Sequence, residues 1–464
     1  MNFFKFLELH TFLIVCEILI LIFVIRMVAE KQKPTSMIAW LLAIMLFPYI
    51  AVPFYFIFGI RKRQRHKNTF NSYKKNYKKT LKMSKLNTIQ AVLINQCMPE
   101  PTENNTFKLY LDGIAAYNAL IKAIETAKTC IYISTYVFQK DKVTLQILRL
   151  LTEKAQQGVE IKLLIDSLGS YKVYFQQHIF KSLQKNGGKV NFFMPIIQMP
   201  FRNYINFRNH RKIYLFDNHK VLAGGMNLGN EYLGPKEYDH RWNDILFKIE
   251  GHAVSHFYDI FMSDWQYSTQ ETIQPITIAK HNKHYGKNLI QVVPSGPDTP
   301  QDALYESLIG GIHAAQRKIW IVTPYFVPAE SLIEALKIAH YRGVDVKLIT
   351  PKFSNHLIAD IARNNYMRQL KKAGIEIASF DKKMIHAKAV LFDTSAVMLG
   401  SVNLDNRSLF LNYEIATYAY ESAIIRQIED WMTNLLKNSN DQLPEQTNTQ
   451  KLRESIVKLI VPLL

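Results

Sequence analysis

The apolar residues of this chain are arranged in two different ways. Near the start they form long stretches. Thr11 to Ile25 is mostly apolar with Glu17 inside it, and Met37 to Ile60 runs twenty-four residues without a charge. The second stretch is long enough to cross a bilayer core of about 30 Å as a helix. Pro48 and Pro53 would kink or break that helix, which a membrane segment tolerates where the freed carbonyls find partners. No small-residue cleavage site follows the first stretch, so residues 1–60 are expected to form an uncleaved transmembrane helical hairpin.

Past residue 100 short apolar runs alternate with helical periodicity. CIYISTYVF (Cys130 to Phe138) and KIWIVTPYFV (Lys318 to Val327) read as buried strands, each followed by an amphipathic stretch, TLQILRLLTEKAQQG or SLIEALKIAHYRG. Next come GVEIKLLID (Gly158 to Asp166) and GVDVKLITP (Gly343 to Pro351), again strand-like. Strand, helix, strand predicts α/β units on a parallel or mixed sheet. Residues 437–464 read as a polar linker and a C-terminal amphipathic segment, with Leu452, Ile456, Leu459, Ile460 and Leu463 at helical spacing. Such a segment suits a membrane surface or a docking groove on the protein equally.

The alternation contains a repeat. HRKIYLFDNHKVLAGGMNL begins at His210 and HAKAVLFDTSAVMLGSVNL begins at His386, aligned without a gap at an offset of 176 residues. His210/His386, Lys212/Lys388, Asp217/Asp393, Gly224/Gly400 and Asn227/Asn403 are among the shared positions. Such agreement within one chain points to duplication with pseudo-twofold packing.

Charge then narrows the partners. The net charge is +19, and Arg61 to Lys85 holds eleven Lys or Arg and no Asp or Glu. An anionic partner is expected: a membrane surface, a phosphorylated substrate or nucleic acid. A basic stretch beginning at Arg61, right behind an apolar segment, places its side in the cytoplasm and attracts anionic headgroups. Residues 61–100 are therefore read as a polybasic juxtamembrane linker, and a nucleic-acid arm is disfavoured so close to a bilayer. Cys16, Cys97 and Cys130 have no metal-ligand spacing and cannot all pair, which fits a reduced compartment.

The cassette residues have a chemical logic. His and Lys two apart project from one face of a strand. The Gly224–Gly225 or Gly400–Ser401 pair allows close backbone approach, and Asn227 or Asn403 supplies an amide. Imidazole, ammonium and carboxamide together suit a phosphate oxyanion. One H-x-K on a strand is commonplace, but two intact copies predict one shared active site.

The doubled pattern H-x-K-x4-D-x6-G-[GS]-x-N resembles the phospholipase D superfamily. AWLLAIMLFPYIAVPFYFIFG, NLGNEYLG, QVVPSGPD, NLDNRSLFLNYE and the terminal PLL extend the likeness over nearly the whole chain, to its bacterial cardiolipin synthase branch. The resemblance implies two phospholipase D-like α/β repeats, 101–288 and 289–436, packed around one cleft. It implies that one histidine forms a phosphohistidine and the other protonates the leaving alcohol, with His210 taken as the nucleophile, and that no metal or other cofactor is needed. Lys212, Lys388, Asn227 and Asn403, with Gly225 and Ser401, would contact the phosphoryl oxygens. Asp217 and Asp393 complete the catalytic sets, or else pin the strand–turn geometry. Asp244 and Glu414, thirty-four and twenty-eight residues after His210 and His386, are the candidates for orienting the histidine of their own repeat.

The implied reaction is phosphatidyl transfer between two phosphatidylglycerol molecules at the bacterial cytoplasmic membrane. The alternatives are a phospholipase D or another phosphatidyltransferase, then a nuclease of the same superfamily. Oligomeric state is left open.

Overall fold

The computed structural model describes residues 34–55, 86–198, 207–271, 284–299 and 301–444, with individual residues of 10–25 and 447–457. The basic stretch from Arg61 to Lys85 lies outside them.

The first repeat runs β1 (Thr102–Tyr110), α1 (Gly113–Thr126), β2 (Cys130–Thr135), α2 (Lys142–Gln156), β3 (Glu160–Asp166), β4 (Lys189–Phe193), β5 (Ile213–Phe216), β6 (Lys220–Gly224), β7 (Leu246–Gly251) and α3 (Val254–Thr269). The second runs β8 (Asn288–Ser295), α4 (Ala303–Ala314), β9 (Lys318–Val322), α5 (Glu330–Tyr341), β10 (Asp345–Pro351), α6 (Leu357–Lys372), β11 (Glu376–Phe380), β12 (Ala389–Phe392), β13 (Ala396–Gly400), β14 (Glu414–Ala419) and α7 (Ser422–Lys437).

One fifteen-stranded sheet joins them, the last strand being the short Ser439–Asn440 at its edge. From the centre outward the order is β1-β7-β6-β5-β2-β3-β4 on one side and β8-β14-β13-β12-β9-β10-β11 on the other, the same order in mirror sequence. Beyond the cassettes, then, the duplication embraces the whole topology. β2, β3 and β4 are parallel, as are β9, β10 and β11, while β5, β6 and β7 form an antiparallel meander, like β12, β13 and β14.

Both sheet faces are covered, so the strands read as continuous apolar runs rather than alternating ones. In β2, Ile131 and Ile133 pack under α1 and α2, while Cys130 and Tyr132 face α3 and a core continuous with the second repeat. The expected strand over Cys130 to Phe138 stops at Thr135, and that over Lys318 to Val327 stops at Val322. In each, a threonine hydroxyl donates to the carbonyl two residues on, Thr135 to Val137 (3.0 Å) and Thr323 to Tyr325 (2.9 Å). That local bond turns the chain off the ladder, and the residues beyond it lead into the site.

The N-terminal region departs from expectation. Among the described residues no helix is long and apolar enough to cross a membrane. The uncharged stretch from Met37 is split into helices Pro34–Leu46 and Pro48–Phe54. Pro48 cannot donate to the preceding turn and drives Phe47 out of the helical region, to φ −140°. Trp40, Ile44, Ala51 and Tyr55 pack together across the break. At the other end, Glu454 pairs with Arg368 on α6, and Val457 packs near Val327 and Ala362, so the described part of the C-terminal segment docks on the second repeat.

Candidate active site

β5 lies antiparallel to β2 with Ile213 opposite Ser134, and β12 antiparallel to β9 with Ala389 opposite Val322. The residues just before Ile213 and Ala389 therefore sit at the C-terminal ends of the parallel strands, where α/β sheets commonly place their sites. Those residues are the H-x-K triplets.

The two triplets meet by crossing between repeats. His210 N–H donates to the Tyr413 carbonyl (2.9 Å), and Tyr413 N–H donates back to Arg208 (2.9 Å). In the mirror position His386 N–H donates to Asn243 (2.7 Å), and Asn243 N–H to Met384 (2.8 Å). Each histidine strand thus runs beside the segment that carries the other repeat's acid. His210 Nδ1 lies 2.9 Å from Glu414 Oε1, and His386 Nδ1 lies 2.7 Å from Asp244 Oδ2. Each acid faces the Nδ1 of the opposite repeat's histidine, which corrects the within-repeat pairing expected from spacing. Asp244 and Glu414 are structurally equivalent: each stands two residues before the partner of a ladder-ending glycine, Gly224 opposite Leu246 and Gly400 opposite Ala416.

The histidine and lysine of both cassettes are buried. Lys212 Nζ donates to the His210 carbonyl at 2.7 Å, and Lys388 Nζ reaches both the carbonyl and Nδ1 of His386, the latter at 3.0 Å. Burial pushes the proton affinity of His386 down to about 3, helped by Lys388 and opposed by Asp244. His210 is lowered too, first by burial, with Glu414 opposing. Burial brings Lys388 down to about 8 and Lys212 well below the usual lysine range. For Asp244 and Glu414 burial acts the other way, yet the facing imidazoles and ammonium groups hold both below the ordinary carboxyl range. The resting pairs are therefore carboxylate with neutral imidazole. An anion entering beside the two lysines would favour their protonated, charged forms.

Comparison with known proteins bears directly on this arrangement. The family described as "Cardiolipin synthase, PLD-like domain" matches residues 120–265 and 308–436. The chain belongs to the cardiolipin synthase family. Residues 18–59 also match the family described as "Phospholipase_D-nuclease N-terminal". The cardiolipin synthase of Clostridium perfringens strain SM101 is 31% identical over 94% of this chain and 95% of its own length. That of Listeria monocytogenes serotype 4a is also 31% identical, over 94% and 95%. A phosphatidylserine synthase structure from Haemophilus influenzae, 18% identical, shares the fold over 82% of this chain and all of its own, at a TM-score of 0.62.

Within this family frame the remaining cassette residues separate into different duties. Asp217 and Asp393 do not reach the histidines, because they lie at the far ends of β5 and β12. Asp217 gathers the N–H groups of Lys128, Thr129 and Cys130 at 2.7–3.2 Å, and Asp393 those of Gln316, Arg317 and Lys318 at 2.8–2.9 Å. Both take positive φ, 52° and 51°. They pin the turns into β2 and β9, so the catalytic assignment is replaced by a structural one.

Ser401 and Gly225 also change role. The Ser401 hydroxyl donates to Glu414 rather than facing the cleft, and a Cβ at Gly225 would fall 2.1 Å from Asp244 Oδ1. One position steadies the longer acid, and the other leaves room for the shorter one. Gly225→Ala should therefore displace Asp244 and lower kcat by roughly a hundredfold, whereas Ser401→Gly should cost much less; steady-state kinetics of the two variants checks this.

Asn227 Oδ1 accepts from Val137 N–H (3.1 Å) and Asn403 Nδ2 donates to Ser408 (3.2 Å), so both amides brace the loops around the histidines. Their remaining polar atoms can still meet a ligand; Asn403 Oδ1 is buried without a hydrogen-bond partner. Sequence reasoning missed the aromatic walls: Tyr136 edges against His210, with ring centres 4.9 Å apart, and Tyr232 and Trp242 against His386 at 5.3 and 5.2 Å. It also missed Arg211, the middle residue of the first H-x-K. Fully buried, Arg211 binds Asp264, Asp298 and the Glu414 carbonyl, ties that the Ala387 of the second copy cannot make.

Proposed function

We propose that this chain transfers a phosphatidyl group from one phosphatidylglycerol to another, giving cardiolipin and glycerol through a phosphohistidine. The observation that carries the reading is the pair of crossed histidine–carboxylate couples, each histidine with the buried lysine of its own cassette against it. With Nδ1 held by a carboxylate, Nε2 of each histidine faces away from it, available for chemistry.

His210 is assigned as the nucleophile. Its Nδ1 faces two acceptors, Glu414 and the Ser401 carbonyl at 3.1 Å, which keep the proton on Nδ1 and a lone pair on Nε2. His386 Nδ1 faces one acceptor and the Lys388 ammonium, a mixed setting suited to the partner that alternately holds and gives up a proton. The bound phosphodiester's negative charge draws a proton onto Nε2 of His386, making it an imidazolium. In the first half-reaction Nε2 of His210 bonds to phosphorus, the bond from phosphorus to the glycerol oxygen breaks, and the His386 imidazolium gives that oxygen its Nε2 proton and is left neutral. In the second, His386 takes the proton of the acceptor lipid's hydroxyl, whose oxygen bonds to phosphorus as the P–N bond breaks. Lys212 and Lys388 hold the phosphoryl oxygens, with Asn227 and Asn403 beside them.

The N-terminal apolar segments are assigned as a membrane hairpin that anchors the catalytic body on the cytoplasmic side. The uncharged run from Met37 to Ile60 and the basic residues from Arg61 onward support this. The working test uses purified protein with phosphatidylglycerol as the only lipid. Cardiolipin and glycerol should appear in equal amounts, and phosphatidic acid as the sole product would point instead to a phospholipase D.

A further inference from the structure

Large apolar side chains exposed one at a time are ordinary on protein surfaces. Here they gather where the parallel strands end. In the first repeat Tyr171 and Phe175 follow β3, and Ile197 follows β4; in the second Phe353, Leu357 and Ile358 follow β10. Phe175, Ile197, Phe353 and Leu357 are 65%, 77%, 73% and 74% exposed, values that no packing against the described chain explains.

These loops are tied to the site. In the first repeat the Ser170 hydroxyl donates to the Tyr136 carbonyl (2.9 Å) and accepts from Phe138 N–H (2.8 Å), and the Tyr136 ring stands against His210. Ile197 N–H donates to the Tyr174 hydroxyl (3.5 Å), which links the two halves of that apolar edge. In the second repeat Tyr325, two residues past Thr323 at the end of β9, donates its hydroxyl to the Asn355 carboxamide and packs on His356 at 5.4 Å. Each loop set lies at the strand ends that carry its own histidine. Because each histidine pairs with the acid of the other repeat, the loop sets flank one composite site.

Charge complements this edge. Ser167 to Phe216 holds no Asp or Glu, nor does Lys352 to Ala359. Lys172 lies over the Tyr171 ring at 6.0 Å and Lys352 over the Phe353 ring at 5.8 Å. A ring with an ammonium group beside it is the arrangement that buries its apolar part among acyl chains and leaves the cation at the phosphate level.

We propose that this two-sided rim is seated in the outer few ångströms of an anionic bilayer, so that lipid headgroups enter the cleft from the membrane rather than through water. The rim is a contact surface of the catalytic body, separate from the N-terminal segments, and the inference rests on the phosphatidyl-transfer reading. It also gives a route by which acyl chains stay in the bilayer while the headgroup phosphate reaches the lysines.

The test takes the full chain in vesicles of phosphatidylglycerol and phosphatidylcholine. A variant carrying Phe175→Asp and Phe353→Asp should lose roughly tenfold or more of its vesicle activity, with its rate on monomeric short-chain phosphatidylglycerol unchanged. Equal loss on both substrates, or none on either, overturns the proposal. An independent reading uses Phe353→Trp in vesicles containing brominated acyl chains. Quenching beyond that of the native tryptophans supports the seat whether or not the enzyme turns over, and its absence overturns the seat, as would a rim occupied by a second copy of the chain. Failure of the wild type to transfer to either substrate, with quenching present, counts against the functional reading and not against the rim.

Discussion

The His386→Asn enzyme is expected to carry a phosphatidyl group on His210, while His210→Asn forms no phosphoenzyme at all. Either change should lower turnover on phosphatidylglycerol by about four orders of magnitude or more, since removing one member of a concerted catalytic set costs nearly as much as removing all. The two variants separate with a phosphatidyl ester of a nitrophenol, whose phenolate departs without a proton. His386→Asn should release one equivalent of nitrophenolate in a burst and then stall, because nothing activates the second alcohol. His210→Asn should show no burst. The physical basis is the asymmetry at Nδ1: two acceptors beside His210, an acceptor and an ammonium group beside His386. A phosphohistidine mapped to His386 in the His210→Asn enzyme would reverse the assignment, leaving the reaction class intact.

Much of this site was legible in the sequence because its geometry is local. His210 with Lys212, and His386 with Lys388, follow from the period of a strand, and their duplication marks them as working parts. The candidate acids were also legible, Glu414 and Asp244 by position. Their exchange between repeats was not. It depends on the bridges of Asn209 to Tyr413 and of Asn243 to Ile385, contacts between residues far apart in the chain that no spacing encodes. The unequal intervals, thirty-four and twenty-eight residues, hid the equivalence of the acids, which appears only in the ladder register beside Gly224 and Gly400.

Side-chain direction was the other illegible quantity. Ser401 reads as a phosphate contact until its hydroxyl is found on Glu414, and Asp217 reads as either catalytic or turn-pinning until its carboxylate is found on the turn before β2. Tyr136 and Trp242 carry no motif, and Tyr232 lies in NLGNEYLG with nothing there to mark its ring as a wall of the site, since aromatic residues near strand ends are common in any α/β fold. That Pro48 would disturb the uncharged run from Met37 was legible, since proline cannot donate to the preceding turn; that the disturbance is a full break depends on the backbone of Phe47, at φ −140°.

Neutralising the orienting acids tests the exchange between repeats itself. Glu414→Gln and Asp244→Asn preserve shape while replacing an acceptor with an amide whose NH2 can donate to Nδ1. The proton then moves to Nε2, and the lone pair needed for attack or for proton removal is lost. A comparable change in a serine protease triad lowers kcat by roughly 10⁴, and a loss of that order is expected for each acid here. The burst assay separates the two. If Glu414 serves His210, Glu414→Gln should abolish the nitrophenolate burst, as His210→Asn does. If Asp244 serves His386, Asp244→Asn should keep the burst and stall afterwards, as His386→Asn does. Pairing within each repeat would exchange these results. Both acids are fully buried, and each faces a lysine as well as a histidine. Circular dichroism and melting curves should therefore accompany the kinetics, and the burst pattern of folded protein is the deciding quantity. A retained burst in folded Glu414→Gln would mean that the Ser401 carbonyl alone holds the His210 proton on Nδ1, and Glu414 would then be needed only for the imidazolium that follows.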